Sequence, residues 1–437
     1  MNRRRFLQTA GAGVLAARSV VRGAIPPARP NILFILSDQF RGDALGVDGN
    51  TFVHTPNLDR LASESVRFAH AYTAQALCTP ARATLITGLY PHTHRLQGNV
   101  YKVPNALADP QYRLAANFPT LLKQAGYTTG WVGKWHRGEE NPGCFDHWNG
   151  FNSLLPHWLG EQQKSPYRSD AETDDGLRFL EENRSRPFLL CQSYYPPHTP
   201  YTAPERFYRL FEGKNVDHMQ YYAAAAAVDW NIGRLLEGLK KLGLAQNTVV
   251  MFTADHGETF GQRPFSSNKT VCYEESTRVP LLIRHPNLKP AVWRSGVNNI
   301  DIMPTILDAA GLPIPSGVQG KSLLERIRSG RDRWDQPVIL ENMTQRVASG
   351  KKGEGGNQPI ERAVRTERWK LILRAFSEEP ERRMDELYDL AQDPGEKQDL
   401  FARPEAAPRV KELSKMLLAW GRRCEDQVAV RLASRYA

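Results

Sequence analysis

The chain has 437 residues, of which 41% are hydrophobic and 24% are charged, a composition typical of a globular protein with a sizeable core. Its formal net charge is +10, but residues 1–24 contain five arginines and no acidic residue, so residues 25–437 carry +5. A net charge of that size argues against nucleic acid as a partner and favours a local basic pocket for an anionic substrate. The five cysteines are scattered and lack C-x-x-C spacing, which indicates neither a disulfide scaffold nor a zinc ribbon.

The first 24 residues have the pattern of an export signal. The stretch Arg3-Arg4-Arg5-Phe6-Leu7 resembles a twin-arginine signal, and an apolar run of mostly small residues extends from Thr9 to Ala17. That run is too short to span a bilayer, and no later stretch is long and apolar enough. We therefore expect a bacterial protein that the twin-arginine machinery exports to the periplasm or the medium, with 1–24 as the signal. An ordinary basic amphipathic helix is the alternative.

Strands and helices alternate over residues 31–310, which predicts an α/β fold whose mostly parallel sheet is sandwiched by helices. The predicted strands are the apolar runs at 31–36, 127–132, 187–193, 248–253 and 279–283. The predicted helices lie at 55–65, 80–88, 118–126, 170–184, 216–242 and 301–310. Residues 138–168 are rich in Pro, Gly and Trp, and we expect a long insertion that shapes a substrate site.

The character of the chain changes near residue 350. Residues 350–358 are rich in glycine and charge and predict an exposed loop. Strands are expected within 362–373, residues 387–390 lead into a turn at 393–395, and a final amphipathic helix is expected over about 407–422. We therefore divide the chain into the signal (1–24), a catalytic α/β domain (25–345) and a smaller α+β C-terminal subdomain (346–437).

Two pairs of polar residues follow buried strands. Asp38 and Gln39 follow the first strand, and Asp255 and His256 follow the strand at 248–253. Because ligands bind at the carboxyl edge of an open α/β sheet, we expect the two pairs to converge there. Oxygen ligands suit Ca²⁺ or Mg²⁺, and one imidazole leaves room for Mn²⁺ or Zn²⁺. An isolated Asp after a strand would otherwise be a helix cap or a turn former.

The stretch LCTPARATL at 77–85 places Cys78 just ahead of a predicted helix start. Proline suits the first helical position, so we expect the helix to begin at Pro80. A thiol near a helix N-terminus is expected to have a lowered pKa and to be reactive. A buried core cysteine is the alternative.

A group of basic residues lies at strand ends or in loops on the same expected edge: Arg82, Lys134, His136, His198 and Lys269. Each one alone could be a solvated lysine or a satisfied histidine. Together with a divalent ion, a ring of cations suits the transfer of a tetrahedral anion, because it neutralises charge on the equatorial oxygens.

These stretches resemble the type I, formylglycine-dependent sulfatases of the alkaline phosphatase superfamily. Residues 78–88 (CTPARATLITG) resemble the first signature of that family, and residues 126–136 (GYTTGWVGKWH) resemble the second. Further stretches match in the same order, at 31–39, 197–200, 254–258, 269–280 and 387–390. The resemblance covers nearly the whole chain after the signal and implies an alkaline-phosphatase-like α/β fold with a smaller C-terminal subdomain.

The resemblance also implies the chemistry. A maturation enzyme would oxidise Cys78 to Cα-formylglycine, whose hydrated form is the nucleophile. A divalent ion, Ca²⁺ in the first instance with Mg²⁺ or Mn²⁺ as alternatives, would be held by Asp38, Gln39, Cys78, Asp255 and His256. Arg82 would steady the modified side chain, and Lys134 would bind the sulfate. His136 would take the proton that frees the sulfate from residue 78, while His198 and Lys269 would contact the sulfate and protonate the leaving oxygen.

Three positions depart from the commonest form of the family. Ala81 stands where Ser is usual, Gln39 where many relatives have Asp, and His256 where many have Asn. Asp-Gln and Asp-His pairs occur in sulfatases and also in phosphonate or phosphodiester hydrolases. The metal site therefore does not decide whether the substrate is a sulfur or a phosphorus ester.

We expect a sulfatase, a sulfuric ester hydrolase, acting on a sulfated carbohydrate. The alternatives are a phosphonate monoester or phosphodiester hydrolase of the same superfamily, and an unmodified, catalytically silent carbohydrate-binding relative. Trp148 and Trp158 in the 138–168 insertion would either stack on sugar rings or pack the loop.

Overall fold

The computed structural model describes residues 29–266, 268–343, 359–376, 379 and 381–437. The predicted export signal and the predicted loop at 350–358 lie outside these residues. The strands are β1 Asn31–Ser37, β2 Val66–Phe68, β3 Ala71–Tyr72, β4 Thr128–Lys134, β5 His147–Phe151, β6 Phe188–Tyr194, β7 Thr248–Ala254, β8 Arg278–Val279, β9 Leu281–Arg284, β10 Ala291–Trp293, β11 Val297–Asn298, β12 Val338–Asn342, β13 Ile360–Arg365, β14 Trp369–Ala375 and β15 Glu386–Asp389.

The α-helices are α1 Pro56–Ser63, α2 Cys78–Thr87, α3 Pro91–His94, α4 Phe118–Gln124, α5 Arg168–Glu182, α6 Glu205–Tyr208, α7 Met219–Lys241, α8 Glu274–Thr277, α9 Ile302–Ala309, α10 Leu323–Arg328, α11 Ala407–Arg423 and α12 Gln427–Ala433. Short 3₁₀ helices lie at Gly46–Asp48, Arg209–Phe211, Ala245–Asn247, Asn299–Asp301 and Pro404–Ala406. In the part of the chain that is described, no helix combines the length and the apolar character needed to cross a lipid bilayer.

The main sheet has eight strands in the order β10-β2-β9-β7-β1-β6-β4-β5. Its central strands β7, β1, β6, β4 and β5 run parallel, while β9 is antiparallel to both of its neighbours. Every residue of β1, β6 and β7 is buried, as expected for strands covered by helices on both faces. The predicted mostly parallel α/β sheet is therefore confirmed, and its central strands all end at one edge.

A second, antiparallel sheet of four strands has the order β12-β13-β14-β15 and carries α11 and α12. It forms the smaller α+β part that the sequence predicts. Its first strand, Val338–Asn342, lies before residue 346, where the predicted subdomain begins. A strand from the predicted catalytic domain therefore forms part of the sheet of the subdomain. A third sheet of three short strands, β11-β3-β8, lies beside them.

Two predictions about strands are wrong. The run at 279–283 is two strands, because Pro280 between them has no N–H to donate; β8 joins the three-stranded sheet and β9 the main sheet. The 138–168 insertion contains β5, a half-buried edge strand parallel to β4. Its sequence, HWNGF, has no apolar run and gave no strand signal.

The tryptophans of the insertion pack the fold. Trp158 is buried against Tyr167 at a ring distance of 5.2 Å. Trp148 contacts Trp135 at 5.8 Å and Phe145 at 5.7 Å, in an aromatic cluster beside β4. These contacts support loop packing, the second of the two roles considered for these residues.

Helix α2 begins at Cys78, two residues earlier than predicted. Leu77 precedes it in an extended conformation and accepts the first helical hydrogen bond, from Ala81 N at 2.9 Å. Pro80 is therefore the third helical residue, where a missing N–H costs nothing because the first-turn N–H groups have no helical acceptor. Gly88 ends the helix in the left-handed conformation at φ 65°, as predicted. All ten residues of α2 are buried, so Cys78 starts a helix inside the protein.

Candidate active site

The carboxyl ends of the central parallel strands bring the predicted residues into one place. Asp38 directly follows β1, and its N–H donates to the Tyr194 carbonyl at the end of β6 at 3.0 Å. Asp255 directly follows β7, and its N–H donates to the Ser37 carbonyl at the end of β1 at 3.2 Å. Lys134 ends β4. Backbone bonds between neighbouring strand ends thus fix where these side chains begin.

Asp38, Cys78, Asp255 and His256 form a buried cluster whose potential ligand atoms all lie within 4.8 Å of one another. His256 donates its Nδ1–H to the Gly257 carbonyl at 2.8 Å, which leaves the Nε2 lone pair directed into the cluster. Asp255 Oδ1 accepts the N–H groups of Gln39 and His256 at 3.0 and 2.9 Å. Two carboxylates and one free imidazole nitrogen, oriented in this way, fit a divalent ion.

Gln39 lies at the cluster with a left-handed backbone, φ 63°. Its amide nitrogen donates to the Glu258 carboxylate, and its Oε1 accepts from Lys269 Nζ at 2.8 Å. Glu258 is completely buried and also accepts from the Tyr201 hydroxyl. The Gln39 oxygen therefore points toward the same space as Lys269, and Glu258 with Tyr201 holds the amide in that orientation.

Arg82 ties the site together from helix α2. Its guanidinium donates to Asp255 at 2.8 Å, to Asp38 at 3.0 Å, and to both the Lys134 carbonyl at 2.6 Å and the Ser193 hydroxyl at 2.8 Å. The side chain is 0% exposed. Burial alone would raise the pKa of Asp38, but Lys134 and Arg82 lower it well below its usual range. The Asp38 carboxylate is therefore ionised and suited to bind a cation.

Lys134 and Lys269 both approach the cluster. Lys134 Nζ lies 2.7 Å from Asp38 Oδ2 and 4.3 Å from the centre of the Tyr195 ring. Burial lowers the pKa of Lys134, but Asp38 and Cys78 raise it to a net value above normal, so the amine is charged. Lys269 Nζ lies 3.4 Å from Cys78 Sγ and 3.1 Å from His198 Nε2.

Two of the three histidines of the site, His136 and His198, are neutral. His198 donates Nδ1–H to the Thr199 carbonyl at 2.7 Å, so its Nε2 accepts from Lys269. Burial, Lys269 and Lys134 hold the pKa of His198 well below its usual range. His136 is 1% exposed, and neither ring nitrogen has a hydrogen-bond partner among the described residues. Burial and Lys134 also hold the pKa of His136 well below normal, so its ring is a free acceptor.

Cys78 lies at the centre of these groups. Its Sγ is 3.3 Å from His256 Nε2 and 3.7 Å from Asp38 Oδ1. Burial and Asp38 raise the pKa of the thiol, but Lys134, Lys269 and His256 outweigh them, so the pKa is lowered. A lowered pKa was also the prediction from the sequence. Nearby cations cause it in the structure, whereas the helix N-terminus was the expected cause.

Sequence reasoning missed several residues that hold the site. Ser193 donates its hydroxyl to the Lys134 carbonyl at 2.7 Å and accepts from Arg82. Tyr195 supplies the ring beneath Lys134, and Glu258 fixes Gln39. Ser193 and Tyr195 stand at the carboxyl end of β6, so the rule that identified Asp38 would have found them had it been applied to that strand.

The sequence profile of the family described as Sulfatase matches residues 30–312. A second profile, described as N-sulphoglucosamine sulphohydrolase, C-terminal, matches residues 265–422.

Named relatives are similar over most of the chain. An ulvan-active sulfatase of Formosa agariphila is 32% identical over 90% of this chain and 81% of its own. An N-acetylglucosamine-6-O-sulfatase of Bacteroides thetaiotaomicron is 28% identical over 92% of this chain and 89% of its own. A solved protein in complex with its substrate D-glucosamine-2-N,6-O-disulfate has 25% identity and a TM-score of 0.76, covering 91% of this chain and 99% of its own. The chain belongs to the sulfatase family of the alkaline phosphatase superfamily.

Proposed function

We propose that this protein is an exported sulfatase that hydrolyses sulfate esters of a carbohydrate through a formylglycine made from Cys78. The observation that carries the proposal is the surrounding of Cys78. An acidic metal-type cluster lies on one side of the thiol, and Lys134, Lys269, His136 and His198 lie around it. This arrangement presents positive charge to a tetrahedral anion at residue 78, which is the requirement of sulfuryl transfer.

In this proposal Asp38, Gln39, Asp255 and His256 hold a divalent ion, with residue 78 as a further ligand. Three of the four protein ligands offer oxygen, which favours Ca²⁺ and leaves Mg²⁺ and Mn²⁺ as alternatives. When bound, the ion supplies charge neutralisation for the sulfate oxygens. Arg82 holds the two carboxylates together in this proposal, because it donates a hydrogen bond to each of them.

Cys78 is the precursor of the nucleophile in this proposal. A formylglycine-generating maturation enzyme converts its side chain to an aldehyde, whose hydrate supplies a hydroxyl for attack on sulfur and a second one for release of sulfate. Residue 78 begins α2, so its backbone position is fixed by a fully buried helix, and Arg82 one turn later fixes the carboxylates beside it.

The remaining residues bind the anion and move protons. Lys134 lies on Asp38 and the Tyr195 ring, where it is placed to bind a sulfate oxygen. His136 is neutral and its ring nitrogens have no hydrogen-bond partner within the described part of the chain, and we assign it the proton that must leave residue 78 when sulfate is released. His198 and Lys269 lie 3.1 Å apart and share a hydrogen bond, so a proton held by this pair can reach the leaving oxygen.

Sulfated carbohydrate is the proposed substrate class. Two relatives that cover most of this chain are named for ulvan and for N-acetylglucosamine 6-O-sulfate. The proposal places the enzyme in the periplasm or the medium, after export by the twin-arginine machinery and with 1–24 as the signal. It keeps the division into a catalytic domain at 25–345 and a subdomain at 346–437, and it includes no nucleic acid partner.

Steady-state rates on matched aryl sulfate and aryl phosphonate substrates test the reaction. The protein is produced together with a formylglycine-generating enzyme and assayed with added Ca²⁺. We expect a higher kcat/KM on the sulfate. A clear preference for the phosphonate would show a phosphonate hydrolase, and turnover of neither substrate after confirmed conversion of Cys78 would contradict both activities. A screen of defined sulfated mono- and oligosaccharides then identifies the sugar.

A further inference from the structure

His157, a buried residue of the 138–168 insertion, reaches the active site. This histidine is 2% exposed and lies after β5, in a segment without regular secondary structure. Its Nε2–H donates to the main-chain carbonyl of His198 at 2.9 Å. The insertion therefore holds the backbone of a residue that carries chemistry in the proposed reaction.

His157 also packs on the ring that lies beneath the site. Its ring centre is 4.7 Å from that of Tyr195, and Tyr195 is 4.9 Å from His198. Lys134 Nζ lies 4.3 Å from the same Tyr195 ring. Tyr195 thus contacts both the lysine and the histidine of the site, and His157 contacts Tyr195 and the His198 backbone together.

His198 needs such support because its segment is a loop. It lies between β6 and α6, and its own N–H donates to the Tyr195 carbonyl at 3.1 Å. The bond from its Nδ1 to the Thr199 carbonyl fixes the ring only relative to its neighbour. A displacement of the His198 backbone would therefore carry the imidazole away from Lys269, and the His157 bond to the His198 carbonyl opposes that displacement.

The chemical state of His157 is simple. Its Nδ1 has no hydrogen-bond partner among the described residues, so the bond to His198 is the hydrogen bond that anchors its ring. Burial lowers the pKa of His157 to about 4, so the ring is neutral near neutral pH and keeps its proton on Nε2. It acts as a fixed donor there and not as an acid or base of its own.

We propose that His157 is a positioning residue for protonation of the leaving group, because it fixes the His198 backbone so that His198 and Lys269 stay aligned with the leaving oxygen. The inference rests on the proposed sulfatase reaction. It predicts a dependence on the leaving group: a good leaving group departs without a proton, whereas a poor one needs the aligned acid.

Two variants separate the hydrogen bond from the packing. His157→Met keeps the volume against Tyr195 and loses the donor, whereas His157→Gln keeps an N–H that can reach the His198 carbonyl. For His157→Met we expect kcat/KM to fall about tenfold on phenyl sulfate and less than about threefold on 4-nitrophenyl sulfate. For His157→Gln we expect both values to stay within about twofold of the unaltered enzyme.

The control is His147→Gln, which removes a half-buried histidine of β5 in the same insertion that pairs with Asp175. It should leave both rates unchanged. The positioning role would be overturned if His157→Met lost equal activity on the two sulfates, if it lost none on either, or if His157→Gln showed the same loss. It would also be overturned if His157→Met unfolded and His157→Gln did not keep the ratio of the two rates found in the unaltered enzyme. Failure of the unaltered, converted enzyme on both sulfates would instead refute the sulfatase reaction on which the inference rests.

Discussion

The candidate site is built in two ways, and the contrast between them explains much of its behaviour. Asp38, Asp255 and Lys134 stand at or directly after buried parallel strands, and Arg82 lies on a fully buried helix. His198 and Lys269, in contrast, stand on loops outside the main sheet. The first group, called here the strand-edge group, is fixed by the sheet and by its own charges. The position of the second, the loop-borne group, depends on contacts with distant parts of the chain.

The Lys269 loop rests on the second sheet. Asn342 of β12 donates to the Thr270 carbonyl, Glu361 of β13 accepts the Cys272 N–H at 3.0 Å, and Lys370 of β14 donates to the Cys272 carbonyl at 3.0 Å. Thr270 has φ 72°, a conformation that a β-branched residue rarely adopts without support. The C-terminal sheet is therefore part of the support of the active site, and not only an appended subdomain.

The largest expected effect is the loss of turnover when Cys78 is replaced. Cys78→Ala removes the precursor of the nucleophile, so activity on 4-nitrophenyl sulfate should fall to background, while the thermal midpoint changes little. Cys191→Ala is the matched control, because Cys191 is an equally buried thiol in the core of β6. If Cys78→Ala fails to fold while Cys191→Ala folds, Cys78 is a packing residue.

The second prediction removes the group that joins the two carboxylates. Arg82→Met leaves Asp38 and Asp255 buried without their shared partner, so the free energy of unfolding should fall by about 3–5 kcal/mol in a urea titration without added divalent ion. Lys164→Met, which breaks an exposed pair with Glu161, should leave the midpoint unchanged. An unchanged midpoint for Arg82→Met would mean that the buried carboxylates do not depend on Arg82 for the stability of the fold.

The third prediction separates the loop-borne group from the metal cluster. Asn342→Leu loses the bond to the Thr270 carbonyl and lets Lys269 move, so kcat/KM on sulfate esters should fall about 10-fold to 100-fold. The affinity for Ca²⁺, measured by calorimetry, should be unchanged because no proposed ligand moves. Asn183→Leu, at a buried asparagine that bonds within α5, is the control. Equal losses of Ca²⁺ affinity and activity would show that the two groups are not independent.

The smallest expected effect concerns His92, which links helix α3 to the second sheet away from the active site. His92 of α3 contacts Glu341 of β12 at 2.6 Å, and its Nε2 contacts the Cys424 carbonyl at 2.9 Å. Burial lowers the pKa of His92, but the charge of Glu341 and its hydrogen bond to the ring raise it. The net pKa is above the unfolded value of about 6.5.

Its charged form therefore stabilises the fold fully below about pH 6.5, and this contribution disappears as the pH rises through the folded pKa. His92→Gln should lose that contribution. The difference in thermal midpoint between the unaltered protein and the variant should shrink as the pH is raised from about 6 upward. A difference that is constant with pH would show that His92 is neutral in the folded protein.

The sequence could predict the strand-edge group because each element carries a local signal. Buried parallel strands are continuous apolar runs, and Asp38 and Asp255 come directly after two of them. The basic residues Lys134 and Arg82 follow from the same pattern together with the family signatures. Local chemistry and chain order thus were enough to expect a cluster at one sheet edge.

Other features depend on contacts that no local pattern contains. Strand β5 is a polar edge strand stabilised by pairing with β4, and Pro280 divides one apolar run between two sheets. The bonds from His157 to His198 and from Asn342 to Thr270 join segments 41 and 72 residues apart. Such contacts require the three-dimensional arrangement, which is why His198 and Lys269 could be proposed as site residues from the sequence, whereas the contacts that hold them could not.

The most direct test of the account is the mass of the tryptic peptide 68–82, which ends at Arg82 and contains Cys78 as its sole cysteine, from protein made in its native host. The account predicts the mass of a peptide in which the thiol-bearing CH₂SH group has become an aldehyde, and reactivity of that peptide with a hydrazide. A peptide with the unmodified cysteine mass, from protein that still hydrolyses sulfate esters, would contradict the account, because residue 78 could not then supply the oxygen nucleophile.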